Sequence, residues 1–254
     1  MSVQFETKDH VAIITMNRPE ARNAINGAMA TGIEAALDRY ETDESLWAAV
    51  LTGSGTVFCA GADLKEIAAG NAGSTATQKG GFAGIVHRER NKPLIAAVHG
   101  PALAGGCEIV LSCDLIVASD EALFGLPEVK RSLIAVAGAL FRLPRAIGMT
   151  QAMEVILTGE PLTAARAYEL GLVNRLVQPD QVLDEALLLA RKIASNAPLA
   201  VQASRNLAAR AFSADEATLW REGFEAFQRN MRTEDAQEGP RAFIEKRAPR
   251  WLAR

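Results

Sequence analysis

Short apolar runs alternate with helical stretches along the first two thirds of this chain, and that alternation narrows the possible folds more than any other feature. Val11 to Met16, Trp47 to Thr52, Leu94 to Val98 and Leu115 to Ala118 are apolar runs flanked by turn-forming or small residues, which read as strands. Val3 to Thr7 adds a strand at the start, separated from the next by Lys8-Asp9. Between the strands, Gly27 to Tyr40 spaces Met29, Ile33, Ala36, Leu37 and Tyr40 at a helical period. Gly105-Gly106 opens the apolar run Cys107, Ile109, Val110 and Leu111, which reads as a helix start. Strands alternating with helices imply an α/β core with much parallel pairing.

After Val177 no strand pattern remains. Helix starts are legible at Gln178-Pro179-Asp180, after Ala197-Pro198, at Ser213-Ala214-Asp215-Glu216 and at Thr233-Glu234-Asp235. The chain therefore divides into an α/β core over residues 1–195 and a helical region over residues 196–254. In that tail Leu219, Phe224, Phe227, Phe243 and Trp251 need a surface to cover, either the chain's own core or a neighbouring subunit. Residues 66–81 are small, polar and glycine-rich, and predict a mobile lid.

Bulk properties exclude several functions. A chain of 254 residues buries roughly 70–75% of its unfolded surface. Its net charge of −3, with interspersed signs and 6% aromatics, gives no nucleic-acid face and no polybasic membrane anchor. No apolar stretch approaches the ~20 residues that span a bilayer, and the N-terminus lacks signal-peptide character. A cytoplasmic protein is expected. Cys59, Cys107 and Cys113 have no CxxC spacing and read as small packed residues. His10, His87 and His99 form no ligand pair, so no metal is indicated, and Gly53 to Phe58 lacks the third glycine of a dinucleotide loop.

The chemistry-bearing segments are three. Phe58-Cys59-Ala60-Gly61-Ala62-Asp63-Leu64 is built of small residues that can expose a backbone N–H; Pro101 to Glu108 ends in Gly105-Gly106-Cys107-Glu108; Phe124-Gly125-Leu126-Pro127-Glu128 closes on a second glutamate. Two carboxyls and two N–H donors are the equipment for proton transfer beside a carbonyl.

These segments, FCAGADLKE, HGPALAGGCE and FGLPEV in this order, resemble the crotonase (enoyl-CoA hydratase/isomerase) family, with the likeness beginning at Asn17-Arg18-Pro19 and reaching the helical tail. The resemblance implies the crotonase (ClpP-like) α/β fold, with repeated strand–strand–helix units in a spiral core and a C-terminal helical trimerisation region. It implies an acyl-CoA thioester substrate, a homotrimer or a dimer of trimers, and no cofactor beyond the CoA of the substrate. The N–H groups of Ala62 and Gly105 would form the oxyanion hole. Glu108 would act as base toward water and Glu128 would protonate Cα. Arg22, Ala24, Ala60, Gly61, Asp63, Leu64, Lys65 and Gly106 would line the CoA path, and Lys246 would reach a neighbouring subunit's CoA phosphate.

The activity implied is hydration of 2-enoyl-CoA. Double-bond isomerisation, which commonly needs one carboxylate, and dehydration of a functionalised acyl-CoA are the rivals. The chain departs from the family's usual glycine-rich segment at Ile134 to Leu143, where Val136, Ala139, Leu140 and Phe141 predict a reshaped acyl pocket. Lys130 and Arg131 are read as facing solvent.

Overall fold

The computed structural model describes residues 1–254 apart from the side chain of Ala72, and its architecture is a parallel sheet with a second, stacked layer of short strands. The chain runs through β1 (Val3–Lys8), β2 (Val11–Met16), α1 (Gly27–Thr42), β3 (Ala48–Gly53), α2 (Leu64–Ala68), β4 (Ala76–Thr77) and β5 (Gly81–Phe82). It continues through β6 (Leu94–Val98), β7 (Ala102–Leu103), α3 (Gly105–Ser112), β8 (Leu115–Ser119) and β9 (Leu123–Gly125). Then follow α4 (Ala139–Ile147), α5 (Met149–Thr158), β10 (Leu162–Thr163), α6 (Ala164–Glu169), β11 (Arg175–Val177) and α7 (Val182–Ala194). Helices α8 (Pro198–Ala208), α9 (Glu216–Asn230) and α10 (Glu234–Ile244) complete it.

The large sheet has the order β1-β2-β3-β6-β8-β11, antiparallel only between β1 and β2. Strand alternation sorts its residues into two cores. Ile14, Leu51, Ala96 and Ala118 pack with α1 and α3; Val50, Ile95, Ala97 and Val117 pack under Val182, Ala186 and Ala190 of α7.

Each turn of chain leaves the large sheet and adds one short extended piece to the second layer. Ile25 pairs with Ala62, Cys59 with Ala102, and β7 with β9, all parallel, with β10 closing the edge antiparallel to β9. This is the expected spiral, and it sets the segments after β3, β6 and β9 side by side.

Residues 66–81, predicted as a lid, fold into the end of α2, a 3-10 turn at Ala72–Thr75 and the β4–β5 hairpin. The Asp63 carboxylate caps α2 at the Lys65 N–H, and Lys79 pairs with Asp38 of α1 at 2.5 Å.

The helical tail begins as predicted, with Asp215 and Thr233 capping α9 and α10. Its end is clasped by buried Asp235, which accepts from the Leu252 and Ala253 N–H groups, and by Trp251, whose indole donates to the Ser195 carbonyl. Trp251 is thus covered by its own chain. Phe224, Phe227 and Phe243 are not: they stay 64%, 58% and 85% exposed, and α9 buries no residue at all.

Candidate active site

Backbone contacts, rather than side chains, create the first half of the site. Gly61 has φ of +95°, and a β-carbon there would stand 2.9 Å from the Ala104 β-carbon and 3.0 Å from the Gly105 nitrogen. Only glycine lets these two segments touch in that conformation. The Ile25 N–H donates to the Gly61 carbonyl and the Asp63 N–H to the Ile25 carbonyl. Strand alternation then turns the Ala62 N–H to the opposite side. Gly105 is the first residue of α3, where an N–H has no acceptor within the helix. Neither N–H donates to a protein acceptor among the described residues, and both residues line one cavity of about 680 Å³.

Gly106 serves a different end. A β-carbon there would collide with the Cys59 carbonyl, so this glycine lets α3 approach the Cys59 segment and is a packing residue rather than part of the cavity wall.

The second half is a carboxyl pair on the same cavity. Glu108, in the first turn of α3, is 4% exposed and accepts the Ala139 N–H at 3.2 Å. That donor belongs to the first residue of α4, and the left-handed turn before it falls on Gly138 at φ +114°. Glu128 sits on a 3-10 helix, Pro127–Arg131, and its Oε2 is buried without a protein partner.

Burial pushes Glu108 up to about 7; the Ala139 N–H opposes this and the charge of Glu128 adds to it. Burial also raises Glu128, against its own backbone N–H and the positive Arg131. Near neutral pH the pair therefore holds on to a proton that ordinary glutamates would have lost. Cys107, beside the pair, is driven further toward the neutral thiol by burial and by both carboxylates, and burial raises Cys59 to about 12. Neither thiol is equipped as a nucleophile.

The remaining sequence-predicted residues divide. Arg22, Ala60 and Leu64 join Ala62 on the cavity wall. Ala24, Asp63, Lys65 and Lys246 do not. The Arg18 guanidinium takes the Ala24 carbonyl at 2.7 Å and the Asp63 carboxylate at 3.1 Å, so those two hold the loop together instead. Lys65 is exposed, and Lys246 follows α10 outside its own chain's cavity.

Of the expectations about the segment after Glu128, one is met in part and one needs correction. Lys130 faces outward, binding Glu160 at 2.5 Å, and Arg131 is exposed as expected but also borders the cavity. Val136 lines it too, with Leu133 and Ile134, whereas Leu140 and Phe141 lie on the exposed surface of α4 and do not shape the pocket. Sequence reasoning also missed Thr75, Phe82, Val86 and His87 on the opposite wall. No local pattern marks them; the spiral brings them in.

Paired free N–H groups beside two proton-retaining carboxyls define a site for acid–base chemistry next to a carbonyl. A family profile described as Enoyl-CoA hydratase/isomerase matches residues 6–254. The crystal structure of an enoyl-CoA hydratase from Mycobacterium tuberculosis superposes with a TM-score of 0.96 at 45% identity, covering 100% of this chain and 99% of that one. The crystal structure of a carnitinyl-CoA hydratase from Mycobacterium avium gives 0.77 at 46% identity, with 100% and 99% covered. Mevalonyl-coenzyme A hydratase sidH of Aspergillus fumigatus is 41% identical, over 98% of this chain and 93% of its own. The chain belongs to the enoyl-CoA hydratase/isomerase family and has the crotonase fold.

Proposed function

We propose that this protein is an enoyl-CoA hydratase, a hydro-lyase that adds water reversibly to 2-enoyl-CoA thioesters to give 3-hydroxyacyl-CoA. One observation carries the reading: the Ala62 and Gly105 N–H groups and the Glu108 and Glu128 carboxyls all belong to one cavity. The thioester oxygen sits between the two N–H groups. Ionised Glu108 takes a proton from water as the oxygen bonds to Cβ. The π electrons move onto the thioester oxygen as an enolate, which the N–H pair stabilises where the charge develops. Protonated Glu128 then delivers its proton to Cα. Water has been added, the proton has moved from Glu128 to Glu108, and the balance closes without a cofactor. Dehydration starts from that second arrangement, and the raised proton affinities of both groups let one pair serve both directions.

A second reading, dehydration of a hydroxylated, functionalised acyl-CoA, uses the same groups in reverse, and a carnitinyl-CoA hydratase is among the similar structures. Isomerisation has less support, since two carboxyls line the cavity where one is enough.

Arg22, Ala60 and Leu64 would carry the CoA arm. The family resemblance suggests a homotrimer, alone or doubled, for residues 196–254, and the exposed Phe224 and Phe227 of α9 offer an apolar face for such a contact. Supply of CoA thioesters and three unpaired cysteines support a cytoplasmic setting. The deciding experiment incubates the protein with 2-enoyl-, 3-enoyl- and 3-hydroxyacyl-CoA thioesters and follows conjugation and mass. Gain of water by the 2-enoyl substrates is expected. Interconversion of 3-enoyl and 2-enoyl forms without any gain of water would refute the hydratase assignment.

A further inference from the structure

Building on the hydratase reading, we propose that Arg131 selects acyl-CoA substrates whose acyl group ends in its own carboxylate. The 3-10 helix Pro127–Arg131 superposes side chains three residues apart along its axis. Glu128 and Arg131 stand in that relation, and both line the cavity, while Lys130 turns away to Glu160. The Arg131 guanidinium makes no salt bridge and no hydrogen bond to any described residue. Among the described residues, Glu108 and Glu128 are the only acids on the cavity wall. Neither lies within ion-pair distance of Arg131, and both are committed to proton transfer. Arg131 is solvent-exposed at the open rim of the cavity, where Leu133, Ile134 and Val136 form an exposed apolar lining. A permanently charged five-donor group against such a wall is matched by a carboxylate at the end of an apolar chain.

The order of the stacked layer says which end of the substrate Arg131 meets. Ile25, the Cys59–Ala62 segment, β7 and β9 follow one another in space. Arg22 precedes the first of these and Arg131 follows the last, with the two cradle N–H groups between them. A thioester gripped in the cradle with its CoA arm toward Arg22 therefore sends its acyl arm toward Arg131.

The test compares two 2-enoyl-CoA thioesters of equal chain length, one ending in a carboxylate and one in a methyl group. Hydration is followed by loss of conjugated-thioester absorbance in wild type, R131Q and R131K. Wild type is expected to favour the carboxylate-ended thioester in kcat/KM by about 10- to 100-fold, the range of one charge-assisted hydrogen bond. R131Q should bring that ratio close to one, and R131K should retain part of it. A wild-type ratio near one, or an equal loss on both thioesters in R131Q, would overturn the proposal and leave the hydratase reading standing. Failure of wild type to hydrate either thioester would remove both.

Discussion

Replacing Glu108 by glutamine should make the protein more stable above neutral pH while disabling its chemistry. Burial lifts this carboxyl from its ordinary 4.5 to about 7, so the folded chain holds a proton that the unfolded chain has released. Between those values the folded state binds more protons, and stability falls as pH rises. At about 1.36 kcal/mol per tenfold change, ionising Glu108 in place costs about 3 kcal/mol, complete above pH ~7 and absent below pH ~4.5. Glutamine is isosteric and uncharged, and its amide oxygen can still accept the Ala139 N–H. Urea unfolding of wild type and E108Q, at one protein concentration, measures the difference. E108Q should gain about 2–3 kcal/mol over wild type on going from about pH 5 to about pH 8.5, with turnover lowered roughly 10²- to 10⁴-fold. Parallel pH dependence in the two proteins would show that Glu108 ionises freely, and the electrostatic account of the pair would be wrong.

Three further outcomes follow from the same geometry. G61A should lower turnover roughly 10²- to 10³-fold in the hydration assay, because its methyl presses on Ala104 and the Gly105 nitrogen and parts the two donors; wild-type turnover would contradict the cradle. The kcat/KM of the wild type for hydration should rise as pH climbs through about 7, where Glu108 loses its proton and becomes the base toward water; a profile flat from about pH 5 to about pH 8 would contradict this. If α9 carries the proposed subunit contact, F224D with F227D should lower the mass seen by sedimentation without loss of helical circular dichroism; an unchanged mass would show that these rings hold no subunit contact.

Much of this arrangement was legible before any coordinates. β2 and β6 match their apolar runs residue for residue, and Asp215 and Thr233 cap the helices their positions announce. Glu108, Glu128, Ala62 and Gly105 meet as expected because each follows a segment whose small residues have a local backbone purpose. What escaped depends on tertiary context. The direction of Arg131 follows from a five-residue 3-10 helix that composition does not reveal. Phe82 and Val86 reach the cavity because the β4–β5 hairpin and the turn after it pack against it, near α1 more than forty residues upstream. Helix α4 holds Pro144 in its interior, which obscures it as a helix. The substitutions at Leu140 and Phe141 were misread for a related reason: on a helix, neighbouring positions point different ways, so adjacency to a site residue in sequence did not mean adjacency to the pocket.

The proposed thioester donors belong to main chain, Ala62 bridged to Ile25 and Gly105 at the first residue of α3. Their separation is set by a lattice of peptide hydrogen bonds that no side-chain exchange along the walls touches directly. The proposed contacts to the acyl tail, by contrast, come from Leu133, Ile134, Val136 and Arg131, which line the cavity from a single connection after β9. Substrate preference in this scaffold can therefore drift through one short loop while the apparatus that activates the carbonyl is inherited intact.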